Sequence, residues 1–314
     1  MEYIKCVSLN CRGLNDYNKR TILIDWLKNI NCDIAFLQET HYICNREFVY
    51  NSRWQGSSFH CFSTSPHCKG VSIIMKDSFS FQLINQHKSA DGRILIVNIK
   101  HEDRVISLCN IYAPNNTKER VDFFRKFSKW VSQYSKNEER IILAGDFNCN
   151  ETNKTDKSIK SLTDLKLKFN LIDLWKFMKP DNPGFTWSDG KKERSRIDYV
   201  FCSENFCYSP ENIYLRKPPS VSNVRFSDHT AIISKYVIST NSRGKGYWKL
   251  NTSILKDKNY CEMIKKLLID LPDEIKLEQN CKSKWELIKL EIKKLSIQYC
   301  KKRCRSMKQK IQEL

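Results

Sequence analysis

Short runs of apolar residues alternate along this chain with longer stretches whose apolar residues recur at helical spacing. The clearest short run occupies residues 141–148, where four apolar residues precede Gly145, Asp146 and Asn148. A run so short, ended by a glycine, predicts a strand that is buried on both faces of a sheet. Alternate side chains on an extended backbone point the same way, so Asp146 and Asn148 are predicted to face together.

Asp146 and Asn148 can together hold one water molecule, because the carboxylate can accept its proton while the amide fixes its position. A plain turn is the alternative interpretation, since Gly, Asp and Asn are common wherever strands end. The rest of the chain bears on this choice, because polar residues recur where other predicted strands end.

Further strands are predicted from similar apolar runs, at residues 3–10, 34–37, 70–76, 93–100, 105–112, 197–202 and 230–237. Helices are predicted where apolar residues follow helical spacing, after caps at Asp16 and at Asn116 or Thr117, and over residues 158–170. Several strands follow one another through short turns rather than through helices. This order favours an α/β sandwich, with two sheets packed face to face and helices outside, over a doubly wound parallel sheet.

The composition of the chain changes near residue 240. Residues 239–247 are rich in Ser, Thr, Asn and Gly, which is typical of a linker. We therefore predict one large domain at residues 1–238, this linker, and a basic helical extension at residues 248–314. The chain is expected to be a piece of a longer protein, because its sequence stops within that helical region.

Two amphipathic helices are predicted in the extension, over residues 260–271 and 285–299. From residue 241 onward there are 19 Lys or Arg against 9 Asp or Glu, so about half of the net charge of +19 lies there. The polar face of the second helix is rich in lysine, which suits a nucleic acid. Its apolar stripe is more typical of the seam of a helix pair than of a ligand site.

The net charge of +19 points to a polyanionic partner, most often a nucleic acid, because basic side chains neutralise phosphates and release counterions. A basic surface that serves only solubility is the alternative interpretation. No apolar run is long enough to span a membrane or to form a secretory signal, so no membrane partner is expected.

The 14 cysteines would suggest disulfides in a secreted protein, but most lie inside apolar strand patterns, as do Cys6, Cys109 and Cys202. Free thiols in such positions behave as small buried apolar groups. Cys300 and Cys304 have no second pair with the spacing of zinc ligands. The chain is therefore expected to be intracellular and reduced, without structural zinc.

Polar side chains collect at the ends of the predicted strands: Asn10, Glu39, Tyr112, Asp146, Asn148, Asp198, Asp228 and His229. This set is too acidic for zinc, which prefers His and Cys, whereas oxygen ligands suit a hard cation such as Mg²⁺ that shares its waters with a phosphate. A lone His229 is more commonly a core histidine. A neighbouring Asp198 can nevertheless orient it and keep it protonated, so that it can hold a phosphate oxygen.

Six short motifs that contain these residues occur in the order found in the endonuclease/exonuclease/phosphatase superfamily, which the chain resembles over residues 4–230. They are Ser-Leu-Asn10, Gln-Glu39-Thr, Ile-Tyr112-Ala-Pro, Gly-Asp146-Phe-Asn148, Ser195-Arg196-Ile-Asp198 and Ser227-Asp228-His229. Within the superfamily the chain is similar to the apurinic-type endonuclease domain of LINE (non-LTR) retrotransposons, through Gln-Glu-Thr-His41, His67-Cys-Lys-Gly70, Asp91-Gly-Arg93, Phe-Thr186-Trp187 and Trp248-Lys-Leu-Asn251. The resemblance implies a DNase I-like four-layer sandwich of two mixed β-sheets flanked by helices, with the active site along one edge of the sheets.

The resemblance also implies roles for individual residues. Glu39, supported by Asn10, would hold a divalent metal, for which Mg²⁺ is expected and Mn²⁺ is a second candidate. Asp228 would support that metal or the leaving group. Asp146 would orient or deprotonate the attacking water, and Asn148 would position the water and the phosphate.

His229, paired with Asp198, and Tyr112 would contact the scissile phosphate. Contacts to the DNA are expected from two loops, through Thr186, Trp187, Ser195 and Arg196. Arg12 departs from the family pattern, since repair enzymes of the superfamily carry an acidic residue there, so the metal environment is expected to differ.

The resulting hypothesis is a Mg²⁺-dependent endonuclease of the nucleus that nicks one strand of a duplex DNA target. The 3′-hydroxyl that it leaves would prime reverse transcription, as in LINE elements, and the basic extension is a candidate contact for the element RNA. The alternatives are an abasic-site repair endonuclease and a catalytically decayed fragment that only binds nucleic acid. A phosphatase or sphingomyelinase of the superfamily fits the charge of +19 poorly.

Overall fold

The computed structural model describes residues 3–43, 53–63, 65, 67–135, 140–153, 155–203, 213–218, 226–237, 250, 252–271, 273–276 and parts of 284–303. The chain divides into two compact units, Met1–Thr240 and Asn241–Leu314. All candidate site residues belong to the first unit, and the predicted linker at residues 239–247 lies outside the described residues.

The first unit is built from short strands with a few helices between them. In chain order the strands are β1 (Tyr3–Asn10), β2 (Ile34–Gln38), β3 (Gly56–Cys61), β4 (Val71–Lys76), β5 (Gln82–Lys88), β6 (Ile94–His101), β7 (Arg104–Tyr112), β8 (Ile141–Asp146), β9 (Leu171–Asp173), β10 (Trp187–Ser188), β11 (Arg194–Ser195), β12 (Asp198–Ser203), β13 (Ile213–Arg216) and β14 (Ala231–Val237). The helices are α1 (Tyr17–Asn29), α2 (Thr117–Tyr134), α3 (Ser158–Lys168) and α4 (Leu174–Met178).

The strands form two mixed six-stranded sheets, ordered β13-β14-β1-β2-β4-β3 and β5-β6-β7-β8-β12-β9, and a small hairpin of β10 and β11. In each sheet one central pair is parallel, β1 with β2 and β7 with β8, while the neighbouring pairs are antiparallel. Parallel strands place their carboxyl ends at the same edge of a sheet. Both sheets therefore present the ends of adjacent strands together.

Three apolar clusters make this unit a four-layer sandwich. The inner cluster lies between the sheets and includes Phe36, Leu108 and Ile142. Leu23 of α1 packs against the outer face of the first sheet, and Phe124 of α2 packs against the outer face of the second. This architecture confirms the predicted fold class.

The local signals in the sequence also hold. Asp16 caps α1 by accepting a hydrogen bond from the backbone N–H of Lys19, and Asn116 caps α2 by accepting from Lys118 and Glu119. Each strand that the apolar runs predicted is present, with its ends displaced by no more than a residue or so. Strands β3, β5, β9 and β13 and the β10–β11 hairpin were not predicted, because they are short or carry polar residues at an exposed sheet edge.

The described part of the second unit is helical. It comprises a 3₁₀ turn (Thr252–Lys256), α5 (Lys258–Ile269) and the short α6 (Asp273–Lys276). Residues of 284–303 whose backbone is described are also helical, and most of them fall in the second predicted amphipathic helix, at residues 285–299. Among the residues described in either unit, no helix is long and apolar enough to cross a membrane.

Gly145 is the one position of β8 where a side chain would not fit. Its φ is 153°, and a Cβ atom there would lie 2.1 Å from the carbonyl oxygen of Ile111, its partner in the parallel ladder with β7. A contact that short requires backbone movement. The glycine therefore lets β8 pass close to β7 immediately before Asp146.

We predict that Gly145→Ala destabilises the first unit by about 3 kcal/mol or more, because the methyl group forces β7 and β8 apart. Urea unfolding of the full chain measures this. Gly190→Ala is the matched control, since Gly190 has a φ of 85° in an exposed turn and should cost only about 1 kcal/mol. Equal losses for the two variants would contradict the role of close strand packing.

Candidate active site

The candidate active site lies where the two sheets end side by side, at one edge of the sandwich. β1 and β2 end together at Asn10 and Gln38, while β7 and β8 end at Tyr112 and Asp146. β12 runs antiparallel to β8, so it begins at Asp198 directly beside Asp146. The topology thus gathers polar residues from distant parts of the chain.

These strand ends surround an open cavity of about 540 Å³. Most of the predicted site residues line it: Glu39, Tyr112, Asp146, Asn148, Trp187, Ser195, Asp228 and His229. Asn10 and Asp198 lie behind this wall, and each hydrogen-bonds a residue that lines it. The wall also contains residues that were not predicted as site residues, namely Arg12, His67, Cys68, Asn115 and Ile197.

Asn10 connects the two sheets at this edge. Its side-chain amide nitrogen donates to Glu39 Oε1 and to Asp146 Oδ2, both at 2.9 Å, and these carboxylates come from different sheets. Its amide oxygen accepts the backbone N–H of Arg12 at 3.0 Å, which fixes the orientation of the group. Asn10 therefore holds the two carboxylates at a fixed separation.

Glu39 is an ionised carboxylate on the cavity wall. Burial alone would raise its pKa, but hydrogen bonds from His41, Asn10 and Tyr112 outweigh burial and lower the pKa to about 2. The imidazole of His41 lies 3.5 Å from Glu39 Oε2. The pKa of Tyr112 is raised, first by burial and then by the negative charges of Glu39 and Asp146, so its hydroxyl stays protonated and can donate.

Asp146 is buried, yet it faces the cavity. Burial raises its pKa well above the usual range of an aspartate, and the nearby charge of Asp198 acts in the same direction. The charge of His229 and a hydrogen bond from Asn10 oppose that rise. Its other oxygen accepts the backbone N–H of Asn148 at 2.9 Å. Such a carboxylate binds a proton more readily than an exposed aspartate does.

His229 is held as a cation by three carboxylates. Its Nδ1 lies 2.8 Å from Asp198 Oδ2, and its Nε2 lies 4.0 Å from Asp146 Oδ2 and 3.9 Å from Asp228 Oδ1. Burial alone would lower its pKa, but Asp198, then Asp146 and Asp228, raise the pKa to about 9. At neutral pH both ring nitrogens therefore carry protons, and Nε2–H faces the cavity.

The backbone is strained around the cavity. Arg12, Glu39, His41 and Asn148 have φ values of 47°, 49°, 60° and 49°, in the left-handed region that side chains other than Asn rarely occupy. For Arg12 and Glu39 the cost is roughly 1–2 kcal/mol each, whereas Asn and His adopt this region more readily. Asn148 is held in place by its side-chain amide, which donates to the carbonyl oxygen of Ala113 at 2.8 Å. Strain of this kind collects at functional sites because the surrounding fold imposes it.

Asp228 joins the first turn of the chain to the β10–β11 hairpin. Its Oδ2 accepts from Arg12 Nη1 at 2.8 Å and from Trp187 Nε1 at 3.0 Å. Asp228, which was predicted to support a metal, is thus already bound by the guanidinium of Arg12 and the indole of Trp187. The departure of Arg12 from the family pattern was visible in the sequence, but its pairing with Asp228 was not.

The predicted DNA contacts separate into two kinds. Trp187 and Ser195 line the cavity. Thr186 is buried, and its hydroxyl accepts the backbone N–H groups of Ile197 and Asp198, so it supports the start of β12. The side chain of Arg196 is 12% exposed and bonds Asp173 at 2.7 Å, so it braces the loop from inside.

Two groups of residues could hold a divalent cation. Among the described residues, Asp146, Asp198 and His229 each offer one potential ligand atom, and these atoms lie within 4.8 Å of one another. The imidazole of His229 is already protonated and bonded to Asp198, which makes it a poor metal ligand. Glu39 is ionised and faces the open cavity, so it fits a hard cation that keeps several of its waters.

A sequence model of the Endonuclease/Exonuclease/phosphatase family matches residues 7–229. The chain is also 28% identical over 268 residues to the transposon TX1 uncharacterized 149 kDa protein of Xenopus laevis, a match that covers 82% of this chain and 20% of that protein. The chain thus spans about a fifth of the length of this curated relative.

Solved structures with a similar fold include a retrotransposon endonuclease domain and an AP endonuclease. The endonuclease domain of TRAS1, a telomere-specific non-LTR retrotransposon, has a TM-score of 0.55 at 17% identity. The match covers 76% of this chain and 100% of the TRAS1 chain. The AP endonuclease LMAP from Leishmania major has a TM-score of 0.59 at 15% identity, with 76% and 88% covered. At such identities the likeness concerns the fold alone.

We predict that Asp198→Asn lowers the pKa of His229 well below its value of about 9. The substitution removes the carboxylate that stabilises the imidazolium most, while the burial that disfavours the charged ring remains. A heteronuclear NMR titration of the metal-free protein measures this pKa. Asp228→Asn is the control, since that carboxylate is more exposed and farther from the ring, and it should lower the pKa less. A larger effect at Asp228 would contradict the assigned dyad.

Proposed function

This chain belongs to the endonuclease/exonuclease/phosphatase family, and we propose that it is a Mg²⁺-dependent DNA endonuclease that nicks one strand of a duplex target. One observation carries the proposal. Asp146, a carboxylate poised to accept a proton, lies beside an imidazolium donor and an ionised carboxylate around one open cavity. These are the groups that hydrolysis of a phosphodiester requires.

Each group takes a definite part in the reaction. Asp146 removes a proton from a water molecule as the water oxygen forms a bond to phosphorus, and the bond from phosphorus to the 3′ oxygen breaks. The departing 3′ oxygen takes a proton from solvent and becomes a hydroxyl. The phosphate stays on the 5′ oxygen of the next nucleotide. The imidazolium of His229 donates a hydrogen bond to a non-bridging oxygen, where charge builds up. The hydroxyl of Tyr112, which donates to Glu39 in the free protein, would exchange that bond for one to a second non-bridging oxygen.

The residues present fit a hard divalent cation. Glu39 would bind Mg²⁺, with Mn²⁺ as the second candidate, and the cation would neutralise the phosphate and stabilise the departing oxygen. Asn10 would keep Glu39 in position through its amide, and Asp228 would support the same region. Because the Oδ2 of Asp228 already accepts from Arg12, we assign Glu39 the larger share of metal binding.

The similarity to a transposon protein and to a retrotransposon endonuclease domain supports a role in DNA integration. The nick would supply a 3′-hydroxyl primer for target-primed reverse transcription in the nucleus. The net charge of +19 supports binding to duplex DNA, and the basic second unit is the proposed contact for the element RNA.

We predict that Glu39→Ala and Asp146→Ala each lower Mg²⁺-dependent nicking of a supercoiled plasmid by about two orders of magnitude or more. Duplex binding should persist, because neither side chain supplies positive charge. Asp103→Ala is the matched control, since this exposed residue lies in the turn at the opposite end of β7 and should leave nicking unchanged. A Glu39→Ala variant that nicks at the wild-type rate would contradict the metal assignment.

The main competing function is repair at abasic sites. The β10–β11 hairpin favours target nicking, because it places Trp187 and Ser195 in the cavity wall and leaves the basic side chains of Lys191 and Lys192 exposed at its tip. Such a hairpin can meet a base-paired duplex and select sites that deform easily.

We predict that nicks mapped on a long undamaged duplex cluster at flexible pyrimidine–purine steps. Exchange of residues 183–195 for a loop of different sequence should move the nicks and leave the Mg²⁺ requirement unchanged. Nicks confined to abasic sites, in a duplex that contains both kinds of position, would instead favour the repair function.

A further inference from the structure

We propose that Arg12 binds the scissile phosphate beside His229, a role that rests on the proposed nuclease function. Arg12 follows β1 in a turn whose backbone is anchored on both sides. Its N–H donates to the Asn10 side chain at 3.0 Å, and its carbonyl oxygen accepts from Lys19 Nζ at 3.1 Å. From this fixed turn the side chain reaches the wall of the cavity.

The guanidinium of Arg12 is oriented by one carboxylate and keeps hydrogen-bond donors for a ligand. Among the described residues its side chain hydrogen-bonds Asp228, through Nη1 at 2.8 Å. An arginine carries five N–H donors in a planar fork, so further donors remain for a ligand. The side chain is 59% exposed, whereas its partner carboxylate is 20% exposed. The ion pair therefore holds the fork at the cavity without burying it.

Asp228 places this guanidinium next to the imidazolium. Oδ2 of Asp228 accepts from Arg12, while Oδ1 lies 3.9 Å from Nε2 of His229. One carboxylate thus has a cation at each oxygen. A phosphate that meets Nε2–H of His229 lies beside the donors of Arg12, and a planar fork binds phosphate oxygens with two parallel hydrogen bonds.

The charge of the cavity calls for such a contact. Glu39, Asp146, Asp198 and Asp228 are acidic, and an incoming phosphodiester adds another negative charge. His229 balances only part of this charge, and a divalent cation held by Glu39 would balance a further part. When DNA covers the cavity and excludes water, the attraction between Arg12 and a phosphate oxygen strengthens.

A second interpretation is that Arg12 acts only by neutralising Asp228. The two roles differ in a double-mutant cycle. If Arg12 contacts the phosphate, Arg12→Ala should still reduce nicking in an Asp228→Asn background. If it acts only through Asp228, the second substitution should add nothing, and the proposal would be overturned.

We predict that Arg12→Ala in the full chain lowers the single-turnover nicking rate of a duplex oligonucleotide by about 10- to 100-fold, with Arg12→Lys in between. The control is Arg125→Ala, because Arg125 is also exposed and also pairs with an aspartate, Asp122, but lies on α2 outside the cavity. Arg125→Ala should stay within about twofold of wild type. An Arg12→Ala rate equal to that of Arg125→Ala would overturn the proposal.

A binding measurement separates failure of this inference from failure of the proposed function. In EDTA, the affinity of the full chain for a short duplex is measured against salt concentration. Loss of one phosphate contact in Arg12→Ala should reduce the slope of log K against log salt by about one, and Arg125→Ala should not. A wild-type chain that binds but never nicks would refute the nuclease function, whereas an unchanged slope for Arg12→Ala would refute the phosphate contact.

Discussion

The hydrogen bonds of one buried amide hold the site together. Asn10 donates one hydrogen to a carboxylate of each sheet, Glu39 and Asp146, across the junction where the sheets end. Two facing carboxylates would otherwise repel each other at low dielectric. The amide donates to both and so favours the ionised form of each, while burial and the charge of Asp198 raise the pKa of Asp146 above that of Glu39. The difference in pKa between the two carboxylates thus follows from where each one lies at the junction of the sheets.

A second constraint acts through the turns that follow the strands. The turn after β1 and the turn after β2 are joined by hydrogen bonds from Gly13 N to Glu39 O at 2.7 Å and from Leu14 N to Thr40 O at 3.0 Å. These bonds keep Arg12 and Glu39 in left-handed backbone conformations that would be unfavourable in an isolated segment. The stability that the sandwich core provides is partly given up here to fix side chains before a substrate arrives.

Much of this molecule could be predicted from its sequence because the responsible signals are local. Buried strands such as β8 appear as apolar runs, and the caps Asp16 and Asn116 appear as polar residues before helical spacing. Edge strands such as β5 carry polar residues and give no such signal. Pairings between distant residues, such as Arg12 with Asp228, depend on topology, so no spacing in the sequence reveals them.

The site is assembled from segments that lie far apart in the chain. The bond between Asn10 and Asp146 spans 136 residues, and that between Ser227 and the carbonyl oxygen of Asn10 spans 217. Loops of this length close late in folding, after local helices and hairpins have formed. During synthesis, the first sheet therefore stays incomplete until β14, which follows His229, has left the ribosome. A nascent chain carries Glu39 and Asp146 long before His229 can take its place beside Asp146 and Asp198, so the site is complete only when the whole domain has been made.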